Sequence, residues 1–83
     1  MKQVRLTHQA IKDLDGFDHG IRERIKESLR HLAAHPDEGK PLKGQFQKDK
    51  VWSYRVWPYR VLYRTLGSWV EILSIEHRKD VYR

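Results

Sequence analysis

Three periodicities follow one another along the chain. Residues 2–6 alternate, with Lys2, Val4 and Leu6 on one side and Gln3 and Arg5 on the other, which predicts a short strand. Thr7 is a good N-cap, because its hydroxyl can accept a hydrogen bond from an otherwise unpaired amide of the first turn. The helix it starts runs to about Asp15, with Ala10, Ile11 and Leu14 as its apolar side and Gly16 as its end. Asp18 is placed to cap a longer helix reaching about His35, whose stripe of Ile21, Ile25, Leu29 and Leu32, widened by Ala33, recurs at helical spacing. Pro36 closes that helix, because a proline disfavours helical geometry in the residue before it. The two helices make a hairpin, with Phe17 as a hydrophobic pin at the bend. From Pro36 to Lys50, Gly39, Pro41 and Gly44 interrupt a lysine-rich stretch that reads as a loop, with Leu42 tucked back towards the core.

The period then falls to two. Val51–Trp57 and Tyr59–Leu66 are aromatic and β-branched runs split at Pro58, and Gly67-Ser68 marks a tight turn before a third run, Trp69–Glu76. The predicted class is α+β in the order β-α-α-β-β-β, a single domain with an antiparallel sheet and the helical hairpin packed on one face. Alternation puts Trp52, Tyr54, Val56, Val61 and Tyr63 on the helix side. It leaves Arg55, Arg60, Leu62 and Arg64 on the open side.

Composition narrows the function classes. With 83 residues the core is small, and the absence of cysteine removes disulfides and cysteine-rich zinc sites as supports. The sequence has no leader pattern at its start and no apolar run of membrane-spanning length, so the expectation is a cytoplasmic protein without a membrane partner. Seventeen Lys and Arg against eleven Asp and Glu leave a net charge of +6, which points to a polyanionic partner: nucleic acid, an acidic protein, or each in turn. Arg22, Lys26 and Arg30 form a basic stripe on the long helix, suited to ribosomal RNA or an acidic protein and equally to plain solvation. His31 and His35 stand four residues apart as metal ligands do, but no third ligand accompanies them, and no metal or cofactor is expected.

The loop Pro41-Leu42-Lys43-Gly44, the run Tyr54-Arg55-Val56-Trp57-Pro58-Tyr59-Arg60-Val61-Leu62-Tyr63 and the ending His77-Arg78-Lys79-Asp80-Val81-Tyr82 resemble, in order and spacing, the RelE/ParE toxins. That family shows a leucine-x-glycine loop, an arginine-bearing strand leading into Tyr-Arg-Val-x-Tyr, and a closing His-Arg-x-x-x-Tyr. Trp57-Pro58 replaces its more usual Gly-Asp or Gly-Asn turn. The resemblance implies the toxin of a type II toxin–antitoxin pair, neutralised by a cognate antitoxin whose acidic segment folds on binding. RelE-like members cut messenger RNA in the ribosomal A site, whereas ParE-like members poison DNA gyrase.

The resemblance also assigns residues. Arg60 and Arg78 match the family's catalytic arginines, and Tyr82 its base-stacking aromatic. Arg55 stands where RelE carries a lysine, and Ser53 replaces that strand's other lysine. Metal-independent cleavage by the ribose 2′-OH needs a base, charge on the phosphate oxygens and an acid for the leaving 5′-oxygen. Guanidinium forks suit the phosphate. His77 is the candidate for proton transfer, since an imidazole with a free pKa of ~6.5 exchanges protons near neutrality. Lys48 and Lys50 are candidates to restore the charge lost at Ser53, and Arg64 extends the basic face. Three activities remain open: a ribosome-dependent endoribonuclease, which Arg60, His77, Arg78 and Tyr82 together favour; a gyrase inhibitor; and an inactive antitoxin-binding member.

Overall fold

The computed structural model describes residues 1–43 and 50–77. Strand β1 (Gln3–Leu6) leads into α1 (His8–Asp15) and α2 (His19–Ala34), followed by a two-residue strand β2 (Lys40–Pro41) and the strands β3 (Trp52–Val56), β4 (Tyr59–Leu66) and β5 (Trp69–His77). They form one sheet in the order β1-β5-β4-β3-β2. Strands β3 to β5 pair antiparallel, as the periodicity predicts, and β2, inside the stretch that the sequence reads as a loop, adds antiparallel to β3. The pairing of β1 with β5 is parallel, which makes the sheet mixed. This follows from the route: the helical hairpin carries the chain from β1 to the far edge, and the meander brings it back beside its start.

The local signals act where expected. The Thr7 hydroxyl accepts from the Ala10 amide at 3.2 Å and donates to the Leu73 carbonyl at 2.7 Å, so one side chain caps α1 and ties it to the sheet. Asp18 occupies the N-cap position of α2, but its carboxylate makes no capping bond; its backbone carbonyl accepts from Arg22 instead. Trp57 and Pro58, joined by a cis bond, form the two-residue connection between Val56 and Tyr59. At the next hairpin Gly67 has φ +56°, the conformation that the first central position of a II′ turn demands.

The core lies between the helical hairpin and one face of the sheet. Ile25 and Leu32 of α2 meet Val61 and Tyr63 of β4 and Val70 and Ile72 of β5, all fully buried, and each aliphatic side chain contributes about 1.5–3 kcal/mol of burial. Phe17 packs on Tyr59 with ring centroids 4.8 Å apart, the expected pin. Leu42 is half-buried, and its amide donates to the Val51 carbonyl. Leu62, expected on the open face, does lie outside this cluster yet is only 7% exposed. Among the described residues no helix is long and apolar enough to cross a membrane.

One irregularity was not anticipated. Leu62 pairs with Ser74 but Tyr63 pairs with Ile72, so Leu73 is an extra residue in β5. Strict alternation from Val70 and Ile72 would send Ser74 and Glu76 into the core. The bulge resets the phase so that Ile75 is buried instead. Beyond the point where β1 ends, the Ile75 amide is covered by the Asp13 carboxylate of α1 at 2.9 Å.

Candidate functional site

Strand pairing places Arg55 and Arg60 directly opposite each other on β3 and β4. Like charges in that relation repel. Both line an open groove of about 490 Å³ whose floor also includes Ser53 and Tyr54 and whose wall is the segment carrying Glu38 and Lys40. Arg60 is also the register partner of Glu76 on β5. Its Nη2 stands 3.5 Å from Glu76 Oε1, close enough for an ion pair. Arg60 Nε and Glu76 Oε1 nevertheless are buried without a hydrogen-bond partner among the described residues. The guanidinium is thus paired through Nη2 while its buried Nε donor is left unmet.

The wall is positioned by the core. The buried Tyr63 hydroxyl donates to the Pro36 carbonyl at 2.7 Å and accepts from the Gly39 amide at 3.1 Å. Burial raises the Tyr63 pKa, the Gly39 amide opposing that effect and nearby Asp37 and Glu38 adding to it. Gly39 lies so close that a Cβ there would collide with the Tyr63 hydroxyl and sit 2.7 Å from the Ser53 carbonyl. Glu38 is held from the other side by His31 Nε2 at 2.5 Å. The His31 ring in turn lies 4.8 Å from His35 and 6.1 Å from Tyr54.

The other residues singled out from sequence are dispersed. Arg64 lies on the open face one step further along, but its Nε is 2.9 Å from Glu71, which also takes Arg5 at 3.3 Å. That Arg–Glu–Arg row, with Arg5 5.2 Å over the Trp69 ring, spends the charge within the protein. His77, expected beside Arg60, is on the other side of the sheet. It is the register partner of Tyr59 and meets that ring edge-on at 5.1 Å, on the face where Tyr59 packs against Phe17. The cause is the alternation itself: Arg60 and Glu76 face one way, and Tyr59 and His77, each one residue removed, face the other. Lys50 precedes β3 in a left-handed conformation and does not line the groove. On α2, Lys26 pairs with Glu23 at 3.4 Å and Arg30 with Glu27 at 2.5 Å, so the stripe begun by Arg22 is largely matched by acids on the same helix. Lys48, Arg78 and Tyr82 lie outside the described residues.

Sequence reasoning passed over Glu38 and Lys40. Their only signal was position, between the helix end at Pro36 and the loop motif at Pro41, and the two-residue strand that brings them to β3 is too short to show a period.

A family model described as the ParE toxin of type II toxin–antitoxin system, parDE, matches residues 4–82. Comparison with curated proteins gives no match. Among solved structures, the RelBE2 toxin–antitoxin complex from Mycobacterium tuberculosis is similar at 32% identity and a TM-score of 0.84, over 93% of this chain and 98% of that one. The intact RelBE complex of E. coli matches at 20% identity and a TM-score of 0.75, covering 93% and 96%. The chromosomal ParDE system of P. aeruginosa gives 24% and 0.71, covering 93% and 96%. The last two establish likeness of fold, two helices on a five-stranded sheet. Since the matched family model spans nearly every residue, from β1 through the closing His-Arg-x-x-x-Tyr segment, this chain belongs to the ParE toxin family, within the RelE/ParE superfamily of type II toxin–antitoxin systems.

Proposed function

We propose that this toxin is a ribosome-dependent endoribonuclease of the cytoplasm, cutting messenger RNA in the A site by attack of a ribose 2′-OH on the adjacent phosphate. The observation that carries the reading is the facing pair Arg55 and Arg60 in one groove, where, among the described residues, Glu76 alone forms an ion pair with either of them, with Arg60 at 3.5 Å. Two guanidiniums set against their own repulsion are explained by a ligand that brings negative charge between them. In this reading Arg60, with Arg78, offsets charge on the phosphate oxygens, Arg55 binds the neighbouring phosphate and Tyr82 stacks on a base. His77 acts by packing against Tyr59 instead of by proton transfer beside Arg60. The partner is a cognate antitoxin, as in the RelBE2 complex, with an acidic segment that folds across the basic open face.

The ParE family match favours a second reading, inhibition of DNA gyrase. Induction of the toxin in cells, with message 5′ ends mapped against markers of DNA damage, separates them. In-frame cuts at the A site support the nuclease, and a DNA-damage response with intact messages supports gyrase. On programmed ribosomes, Arg60→Ala is expected to lower single-turnover cleavage by about 10²–10³, on the order of 3–4 kcal/mol of transition-state stabilisation. Lysine at that position should restore only part, since it keeps charge but loses the planar fork.

A further inference from the structure

The β3–β4 turn carries a side chain that neither the core nor the groove explains. Where the family usually has Gly-Asp or Gly-Asn, this chain has Trp57-Pro58, and Trp57 is 55% exposed. A two-residue turn needs no large ring, and an indole left more than half in water forgoes much of the burial that a tryptophan can contribute. Trp57 does not line the groove but stands beyond its end. Val56 and Tyr59 close the hairpin, and the next register pair is Arg55 and Arg60. At ~3.3 Å per residue, the Trp57 backbone is about 7 Å along the strand from Arg55. A third guanidinium reaches the turn from the helical layer, since Arg24 of α2 donates to the Trp57 carbonyl. Its helix neighbours Lys26 and Arg30 are matched by Glu23 and Glu27. Arg24 and Arg55 pair with no carboxylate among the described residues.

We propose that Trp57 is a base-stacking platform for single-stranded RNA at the end of the groove, with Arg24 as a phosphate contact beside it, an inference that rests on the nuclease reading above. The nucleotide that leaves the Arg55–Arg60 pair lays its base on the exposed indole. A ring flanked by cations fits a nucleotide, which brings a planar base and an anionic phosphate on one unit. An acidic peptide brings the charge without a flat partner for the indole. Every base has a π-face, so the platform fixes the position of the message without selecting a codon. Pro58, whose ring fixes its φ, and the Arg24 bond hold the turn from two sides, so little freedom is lost when a base settles on it.

The test is binding of a labelled single-stranded RNA to the full-length toxin, with cleavage on programmed ribosomes and melting temperature measured on the same samples. Trp57→Ala and Trp57→Gln are each expected to weaken RNA binding about 5- to 100-fold, and Trp57→Phe, which keeps a ring, to recover most of the loss. Two ring-less variants are used so that a folding defect in one leaves the other to decide. Abasic nucleotides placed one at a time along the RNA identify the stacked base. At one position the parent loses affinity by the same factor, and the ring-less variants lose nothing further, a coupling that a merely structural tryptophan would not show. Arg24→Gln should make the fall of log affinity with log salt shallower by about 0.7, the single-strand value for one phosphate. On ribosomes the ring-less variants should need more toxin for half-maximal cleavage, whereas Arg60→Ala lowers the rate at saturation. Unchanged RNA affinity in folded ring-less variants overturns the platform, and if they also loosen the complex with the co-purified antitoxin, the turn is a protein contact. Absence of abasic coupling at every position overturns it as well, while impaired cleavage by Arg60→Ala leaves the nuclease reading standing. A parent that shows the coupling but leaves ribosome-bound message intact keeps the platform and overturns the nuclease reading.

Discussion

Replacing Tyr63 with phenylalanine tests whether the core really sets the groove wall. The ring is fully buried between α2 and the sheet, so Phe fills the same volume and opens no cavity. What is lost is one hydroxyl that donates to the Pro36 carbonyl and accepts from the Gly39 amide. Each such bond contributes about 0.5–1.5 kcal/mol net, giving about 1–3 kcal/mol for the two. Both backbone partners are half-buried, so water replaces part of the loss and the lower end, about 1–2 kcal/mol, is expected. For a domain of this size that is a fall of about 4–16 °C in melting temperature. Calorimetry at neutral pH reads it directly. An alkaline series adds a second signature. Burial raises the folded phenol above its ordinary value of ~10, so its contribution is fully present below ~10 and is lost as pH rises from there through the raised folded value. The Phe variant lacks that alkaline decline. A variant that melts with the parent, and declines in alkali as the parent does, would refute the idea that this hydroxyl anchors residues 36–39.

Thr7→Val removes the α1 cap and the bond to the Leu73 carbonyl and should cost about 1–2 kcal/mol by urea unfolding, with no change in the slope. Asp13→Ala strips the cover from the Ile75 amide and should cost about 1–2 kcal/mol, visible as faster hydrogen exchange at Ile75 than at Val61. Reversal of Arg22, Lys26 and Arg30 to Glu sets like charges against Glu23 and Glu27, costing about 0.2–0.5 kcal/mol per pair. If the stripe binds ribosomal RNA, the same variant gives a shallower fall of log affinity with log salt and unchanged cut sites; an unaltered slope assigns the stripe to solvation.

Most of the fold was legible because its elements carry strong periods and clear stops. Ile21, Ile25, Leu29 and Leu32 define α2 without help from tertiary contacts, and Pro36 ends it. Gly67-Ser68 and Trp57-Pro58 mark both hairpins. The parallel placement of β1 was not legible, since a four-residue strand looks the same in either orientation. The bulge at Leu73 did leave a trace. Apolar residues at 70, 72, 73 and 75 against polar residues at 74 and 76 cannot all obey one alternation, and only an inserted residue reconciles them. The groove was half legible. Arg55 and Arg60 follow from strand parity, but the wall segment beside them depends on Gly39, whose role is set by how near Tyr63 and Ser53 approach in space.

The treatment of charge on the open face separates structure from function. Glu71 sits between Arg5 and Arg64 and pairs with both, at 3.3 and 2.9 Å, so neither arginine at that end of the sheet is without an acid. At the other end Arg55 faces Arg60, and Glu76 pairs with Arg60 alone, at 3.5 Å. Had selection acted on stability alone, a second acid opposite Arg60 would have been the simple remedy, since opposed pairs across strands stabilise and like pairs do not. On the proposed nuclease reading, leaving the repulsion in place keeps the two guanidiniums ready for an external anion, at the end of the sheet bordered by the wall segment. An antitoxin that supplied carboxylates there would relieve the repulsion and occlude the groove in the same act. Neutralisation and loss of activity would then be one electrostatic event, with no second conformation of the toxin required.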